Sequence, residues 1–348
     1  MKYFKYILLL IIVTLFLTGC SGNLIAGSSW PGYSTDGEKI YAANSSSVMA
    51  INPDNGVRIW TYPAKPDNKT LFYAPPVVSD DAIIVGDYTR TLYSINKNNG
   101  NENWSFAAAD GKYISSVLVV NELILAPSTD HVLYALDLDG MLKWEFETEQ
   151  MLWAQPVSDG ENAYLASMDH HLYAINLTNG QPVWDKDLES AVVFSIAIDE
   201  NGILYVGTMS KRMMAIDSNN GKTLWEVSTD EAVWAKPLLV EGNLYFGDLS
   251  GKVYSLDSKS GTIKWTNSLP GPVIATAAEL PDGLMFVSEE GKAVVMDYEG
   301  KQIWEQTIDG KLYSSPVVVG DKIILGVTKG DDALLALDFD GKIVWSSN

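Results

Sequence analysis

The residues best equipped for proton or metal chemistry are the three histidines, because imidazole titrates near neutrality and ligates metals. His131 and His170 stand three residues before Tyr134 and Tyr173, in equivalent positions, with His171 beside the second and Asp130 and Asp169 one residue ahead. A His/Asp set drawn from two neighbouring turns would supply zinc-type donors, but a closed site needs four ligands in tetrahedral array. The same residue types suit exposed turns, which is the reading adopted, and no metal is expected. The carboxylate pairs Glu289-Glu290 and Asp331-Asp332 fall in predicted turns and read as solvated edges. Ser-His-Asp order, a phosphate loop and His-Glu-x-x-His are all missing, so no catalytic residue is assigned and no enzyme is expected.

A second set of residues could bind rather than react. Trp30, Tyr73, Tyr113, Trp153, Phe194, Trp234, Ile274 and Tyr313, aligned on the following Ala or Ser, recur about once per 40 residues at the start of each first strand, and seven of the eight are aromatic. Aromatic side chains with a polar edge anchor partners and stack on sugars. They also fill the wedge between packed strands, and the sequence leaves both readings open.

These residues are carried by a repeat. Gly-x-x-x-Trp occurs eight times, ending at Trp60, Trp104, Trp144, Trp184, Trp225, Trp265, Trp304 and Trp345, at intervals of 44, 40, 40, 41, 40, 39 and 41 residues. Within a period the apolar runs are short and bounded by Gly, Asp, Asn and Ser, which is strand patterning. In the sixth unit the strands are expected at 233–240, 243–247, 252–257 and 262–267. Four strands of about six residues with connections of about four fill such a period. The expected fold is therefore all-β: an eight-bladed β-propeller of four-stranded antiparallel blades over residues 29–348. An Asn or Asp opens the turn before each glycine: Asn52, Asn96, Asp137, Asn176, Asp217, Asp257, Asp297 and Asp338. Three of these turns are one residue shorter, and a different turn type is expected there. The eight tryptophans read as structural, because eight equivalent copies in a ring cannot all line one site.

The ends and the composition narrow the setting. Lys2 and Lys5 precede an apolar run from Tyr6 to Leu17, the pattern of an export signal. It ends in Leu17-Thr18-Gly19-Cys20, which resembles the bacterial lipobox, so residues 1–19 are expected to be a lipoprotein signal peptide and Cys20, the single cysteine, the lipidated N-terminus. Residues 20–28 read as a Gly/Ser-rich tether. Without Lys2 and Lys5 the chain keeps 22 basic against 44 acidic residues, a formal charge of −22. That surface repels nucleic acid and anionic lipid, and a monomeric body is expected.

The pattern Ala-x-Asp-x-x-x-Gly-x-x-x-Trp, as at Ala215 to Trp225, resembles the PQQ-like (quinoprotein) propeller repeat and its tryptophan-docking motif, and the resemblance runs from Trp30 to Asn348. With the lipobox it is similar to BamB-like lipoproteins. The resemblance implies a non-catalytic scaffold whose partners are envelope proteins engaged in assembling outer-membrane barrels. Quinoprotein dehydrogenases share the repeat but carry adjacent cysteines, a calcium site and long insertions. This chain has one cysteine, no Cys-x-x-Cys-His and no long insertion, so neither PQQ nor calcium is expected. The resemblance implies attachment to the cell membrane or, in a host with two membranes, to the outer one, since Ser21 is not the aspartate that retains lipoproteins at the inner membrane.

Overall fold

The computed structural model describes residues 31–67 and 69–347. The expected signal and tether, Cys20 and Trp30 lie outside them. Each repeat folds as a four-stranded antiparallel sheet whose strands pair in chain order, and eight such sheets form a ring, an eight-bladed all-β propeller with no helix among the described residues. The blades span 32–62, 77–106, 118–147, 157–187, 197–228, 238–268, 278–307 and 317–347.

Burial along each blade explains its sequence. Second and third strands such as Asn243–Gly247 and Lys252–Asp257 are covered on both faces and read as continuous apolar runs. The fourth strand, at the rim, alternates exposed and half-buried residues, as in Ile263–Ser268. In the sixth blade these three strands lie within a residue of their expected bounds, but the first is only Leu238–Val240. The shortfall has a local cause: Pro237 has no N–H to give a ladder, and the Val233 N–H donates instead to the Thr208 carbonyl of the fifth blade at 3.1 Å.

The turns before the tryptophans take two forms, as their lengths require. In the longer ones the glycine N–H returns to an Asx carbonyl four residues back, as from Gly221 to Asp217 at 2.8 Å; in the shorter ones it returns three residues, as from Gly140 to Asp137 at 3.0 Å. Glycine is required because φ is positive, +69° at Gly221, and because the preceding blade's tryptophan lies against it. A Cβ on Gly100 would meet the Trp60 ring at 2.8 Å, and Trp60 Nε1 donates to the Lys97 carbonyl at 2.9 Å. All eight docking tryptophans make the same contact on the next blade.

The ring closes without sharing a strand. The first and last blades are each built from one continuous segment, 32–62 and 317–347. Their junction has its own core, in which Tyr33, Ile40, Ala42 and Ile51 pack with Val319, Ile324, Leu334 and Ala336. Ser314 Oγ adds a 2.5 Å bond to the Pro31 carbonyl, and Lys322 Nζ lies 3.2 Å from Asp54.

Candidate functional site

The first strands of neighbouring blades touch one another and form the inner edge of the ring. Just ahead of each, the chain hydrogen-bonds to the turn between the second and third strands of its own blade, and these bonds fix which residues are equivalent. Met168 N donates to Met151 O, Leu249 N to Ala232 O, Tyr88 N to Leu71 O, and Glu289 N to Pro272 O. Two residues further on stand Trp153, Trp234, Tyr73 and Ile274. Thr328 N donates to Lys311 O, which puts Tyr313 in the same register.

Two of the expected aromatics are displaced from this ring. Thr129 N donates to Lys112 O, so Ile114 holds the register of Trp153 and Tyr113 falls one position earlier, where it is fully buried with its Cβ against Gly86. Met209 N donates to Ala191 O, so Val193 holds the register in the fifth blade and Phe194 lies one position later. The described ring is therefore Tyr73, Ile114, Trp153, Val193, Trp234, Ile274 and Tyr313, with four aromatics where six of the described blades were expected to contribute one. Those four are half-buried, neither free at a mouth nor sealed in the core. Tyr73 packs edge-on against Tyr88 at 5.1 Å, with Lys112 Nζ 5.5 Å above the Tyr88 ring, and the Tyr313 hydroxyl donates to Glu289 at 3.0 Å. The Trp153 Nε1 hydrogen is buried without an acceptor.

The histidines occupy a backbone role. His131 and His170 both have φ of +76°, as does Arg90 in the equivalent turn of the second blade, and Lys211 at +64° in the fifth. What recurs is the carbonyl: His131 O accepts from Thr148 N, His170 O from Leu188 N and Lys211 O from Thr229 N. His171 Nδ1 lies 3.1 Å from Asp185 on the outer strand. No group of three or more His, Cys, Asp or Glu residues is placed to hold a metal ion among the described residues.

Asp169 and its counterparts clamp these turns. The Tyr173 hydroxyl donates to Asp169 at 2.9 Å, Tyr134 to Asp130 at 2.8 Å and Tyr254 to Asp248 at 2.8 Å, and Asp130 also accepts the Asp110 and Gly111 N–H groups of the incoming chain. On the opposite turns Asp36, Asp159 and Asp199 accept from Tyr41, Tyr164 and Tyr205. Burial pushes the Asp159 carboxyl up, but the Asn162 and Glu161 N–H groups and the Tyr164 hydroxyl outweigh it and hold Asp159 below the usual carboxylate range. Burial, followed by the bond to Asp159, pushes the Tyr164 hydroxyl up to about 12. These pairs fasten the turns to the strands beside them.

One inner register was not singled out by sequence reasoning. Immediately after the small residue that follows Trp153 stands Gln155, and its equivalents are Pro75, Ser116, Ser195, Lys236, Thr276 and Ser315, as the strand registers from Val77, Leu118, Val157, Ala197, Leu238, Ala278 and Val317 require. They lace neighbouring blades together: Ser116 Oγ to Pro75 O at 2.8 Å, Gln155 Nε2 to Val117 O at 2.8 Å, and Thr276 N to Ser315 Oγ at 3.0 Å. The visible signal was a single charged residue, Lys236, in an otherwise uncharged register.

Segments 44–194, 168–280 and 249–348 match the family described as outer membrane protein assembly factor BamB. The chain belongs to the BamB family. The ring superimposes on the crystal structure of BamB from Moraxella catarrhalis with a TM-score of 0.73 at 15% identity, covering 87% of this chain and 92% of that one. The computationally designed Ika8 protein gives 0.78 at 12% identity, covering 91% of this chain and 98% of Ika8. At these identities the likeness is one of fold. A comparison with curated protein sequences gives no match.

Proposed function

We propose that this chain is a non-catalytic envelope lipoprotein, anchored through Cys20, whose propeller is a docking scaffold for proteins that assemble barrels in an outer membrane. The observation that carries the reading is the BamB-family match over residues 44–348. The lipobox-like Leu17-Thr18-Gly19-Cys20 supports the anchor, and the Asp–Tyr clamps, which occupy the acidic turns with structural bonds, support a scaffold over an enzyme. The glycan reading of the aromatic ring loses support with the departure of Tyr113 and Phe194 from it.

The test is photo-crosslinking of the full-length protein in its host, with probes on the turns between second and third strands. Crosslinks to components of a barrel-inserting complex are expected. Labelling no different from that of the signal and tether fused to an unrelated domain would overturn the reading. A fatty-acid label that enters the wild-type protein but not Cys20→Ala checks the anchor separately.

A further inference from the structure

The inner register is laced from the second blade to the fifth and from the seventh to the eighth. In the sixth blade the lacing is interrupted. Lys236 stands where Gln155 and Ser116 reach their neighbours, yet among the described residues its ammonium has no hydrogen-bond or ion-pair partner. The chain holds 44 carboxylates, and other half-buried lysines find them: Lys252 lies 3.1 Å from Asp230 and Lys322 3.2 Å from Asp54. Burial alone lowers the Lys236 pKa, so the half-buried ammonium loses part of its water and no protein group replaces it. The residue keeps part of its surface, so a ligand has a way to it. An unpaired cation in a partly desolvated position is costly, and such costs gather at binding sites.

We propose that Lys236 is the counter-ion of an anion site at the inner edge of the propeller, and that the site takes a carboxylate. One ammonium offsets one negative charge, and the neighbouring fifth and seventh blades carry neutral residues in the same register, Ser195 and Thr276. A dianion would be left half-neutralised within a strongly acidic protein. The carboxylate belongs either to a small organic acid or to the C-terminus of a polypeptide. The proposal stands apart from the assembly role.

Acetate and the tripeptide N-acetyl-Ala-Ala-Ala, with the C-terminal amide of the same peptide as control, are titrated into the lipid-free protein at low salt. The readouts are calorimetry and NMR of the labelled Lys236 ε-methylene. At least one acid binds and moves the Lys236 signal, while the amide does not. Acetate alone points to a small acid, and the peptide acid alone to a protein terminus. Lys236→Met weakens binding at least tenfold and raises the melting temperature, whereas Lys211→Met, a surface lysine paired with Glu231, leaves binding unchanged. Equal binding by Lys236→Met overturns the proposal. So does a Lys236 signal in the wild-type protein that no acid moves at tens of millimolar, a result that does not depend on the variant folding.

Discussion

The Trp345 indole of the last blade lies against Gly56 of the first, close enough that a Cβ there would meet the ring at 2.7 Å, and its Nε1 donates to the Pro53 carbonyl at 2.8 Å. The same contact joins every pair of blades, but at this junction the chain does not continue across. Trp345→Ala is expected to cost about 3 kcal/mol, the low end for truncating a large aromatic because the indole is half-exposed. Trp184→Ala should cost a similar amount in urea unfolding. Hydrogen exchange distinguishes the two: only Trp345→Ala should remove protection from the first and last blades ahead of the others. Equal protection in both variants would show that the junction core suffices.

Two buried tyrosines should respond oppositely to losing a hydroxyl. The Tyr254 oxygen accepts from Asp230 N at 2.9 Å and donates to Asp248 at 2.8 Å, whereas the Tyr113 oxygen is buried with no partner. Tyr254→Phe should lose about 1–2 kcal/mol, because it removes one donor from the buried Asp248 carboxylate and leaves Asp230 N without its acceptor; Tyr113→Phe should be neutral or stabilising by up to about 1 kcal/mol. Chemical denaturation of the pair measures both.

The aspartate turns set the acid limit. Asp159 has its folded pKa depressed, as does Asp36, where hydrogen bonds from Tyr41, Lys39 and Glu38 overcome the upward push of burial. Each contributes stability above the unfolded carboxylate value of about 3.9, and that stability is lost as pH falls through the folded value. Asp159→Asn should be less stable than wild type by about 1 kcal/mol near neutral pH. The two urea midpoints should converge in acid. A gap that stays constant with pH would exclude the charge as its source.

Trp153 separates packing from recognition. Half-buried, with its indole N–H enclosed, it should behave as a wedge: Trp153→Ala is expected to lower stability by about 3 kcal/mol. A melting temperature that does not move would return it to the binding surface.

The repeat is legible because glycine and tryptophan are each required by a contact that recurs unchanged, so their spacing alone reports eight blades and four strands. The aromatic ring was less legible. Tyr113 was read into the ring for its aromatic side chain, although Ile114 is the residue that directly precedes Ser115; the bond from Thr129 N to Lys112 O shows that Ile114 belongs there. The slip at Phe194 has a different origin: Ser195 was matched to Ala154, whereas the strand register sets it with Gln155, and side-chain type does not tell the two positions apart. The first strand of the sixth blade was read too long because Val233 to Ala235 is apolar, and apolarity does not distinguish a ladder within a blade from contact with its neighbour. Lys236 escaped notice because its meaning depends on which partners are missing.

Because no strand is shared across the junction of blades one and eight, the order of blades along the gene is arbitrary with respect to the ring. The protein should tolerate circular permutation. A chain opened in the exposed segment around Lys65, with Ser347 joined to Pro31 by a linker as long as residues 308–316, would thread the same eight blades in the same cycle. By the same logic the ring can gain or lose whole blades by duplication or deletion of a 40-residue segment without any half-blade to mend, a route to paralogues of different girth.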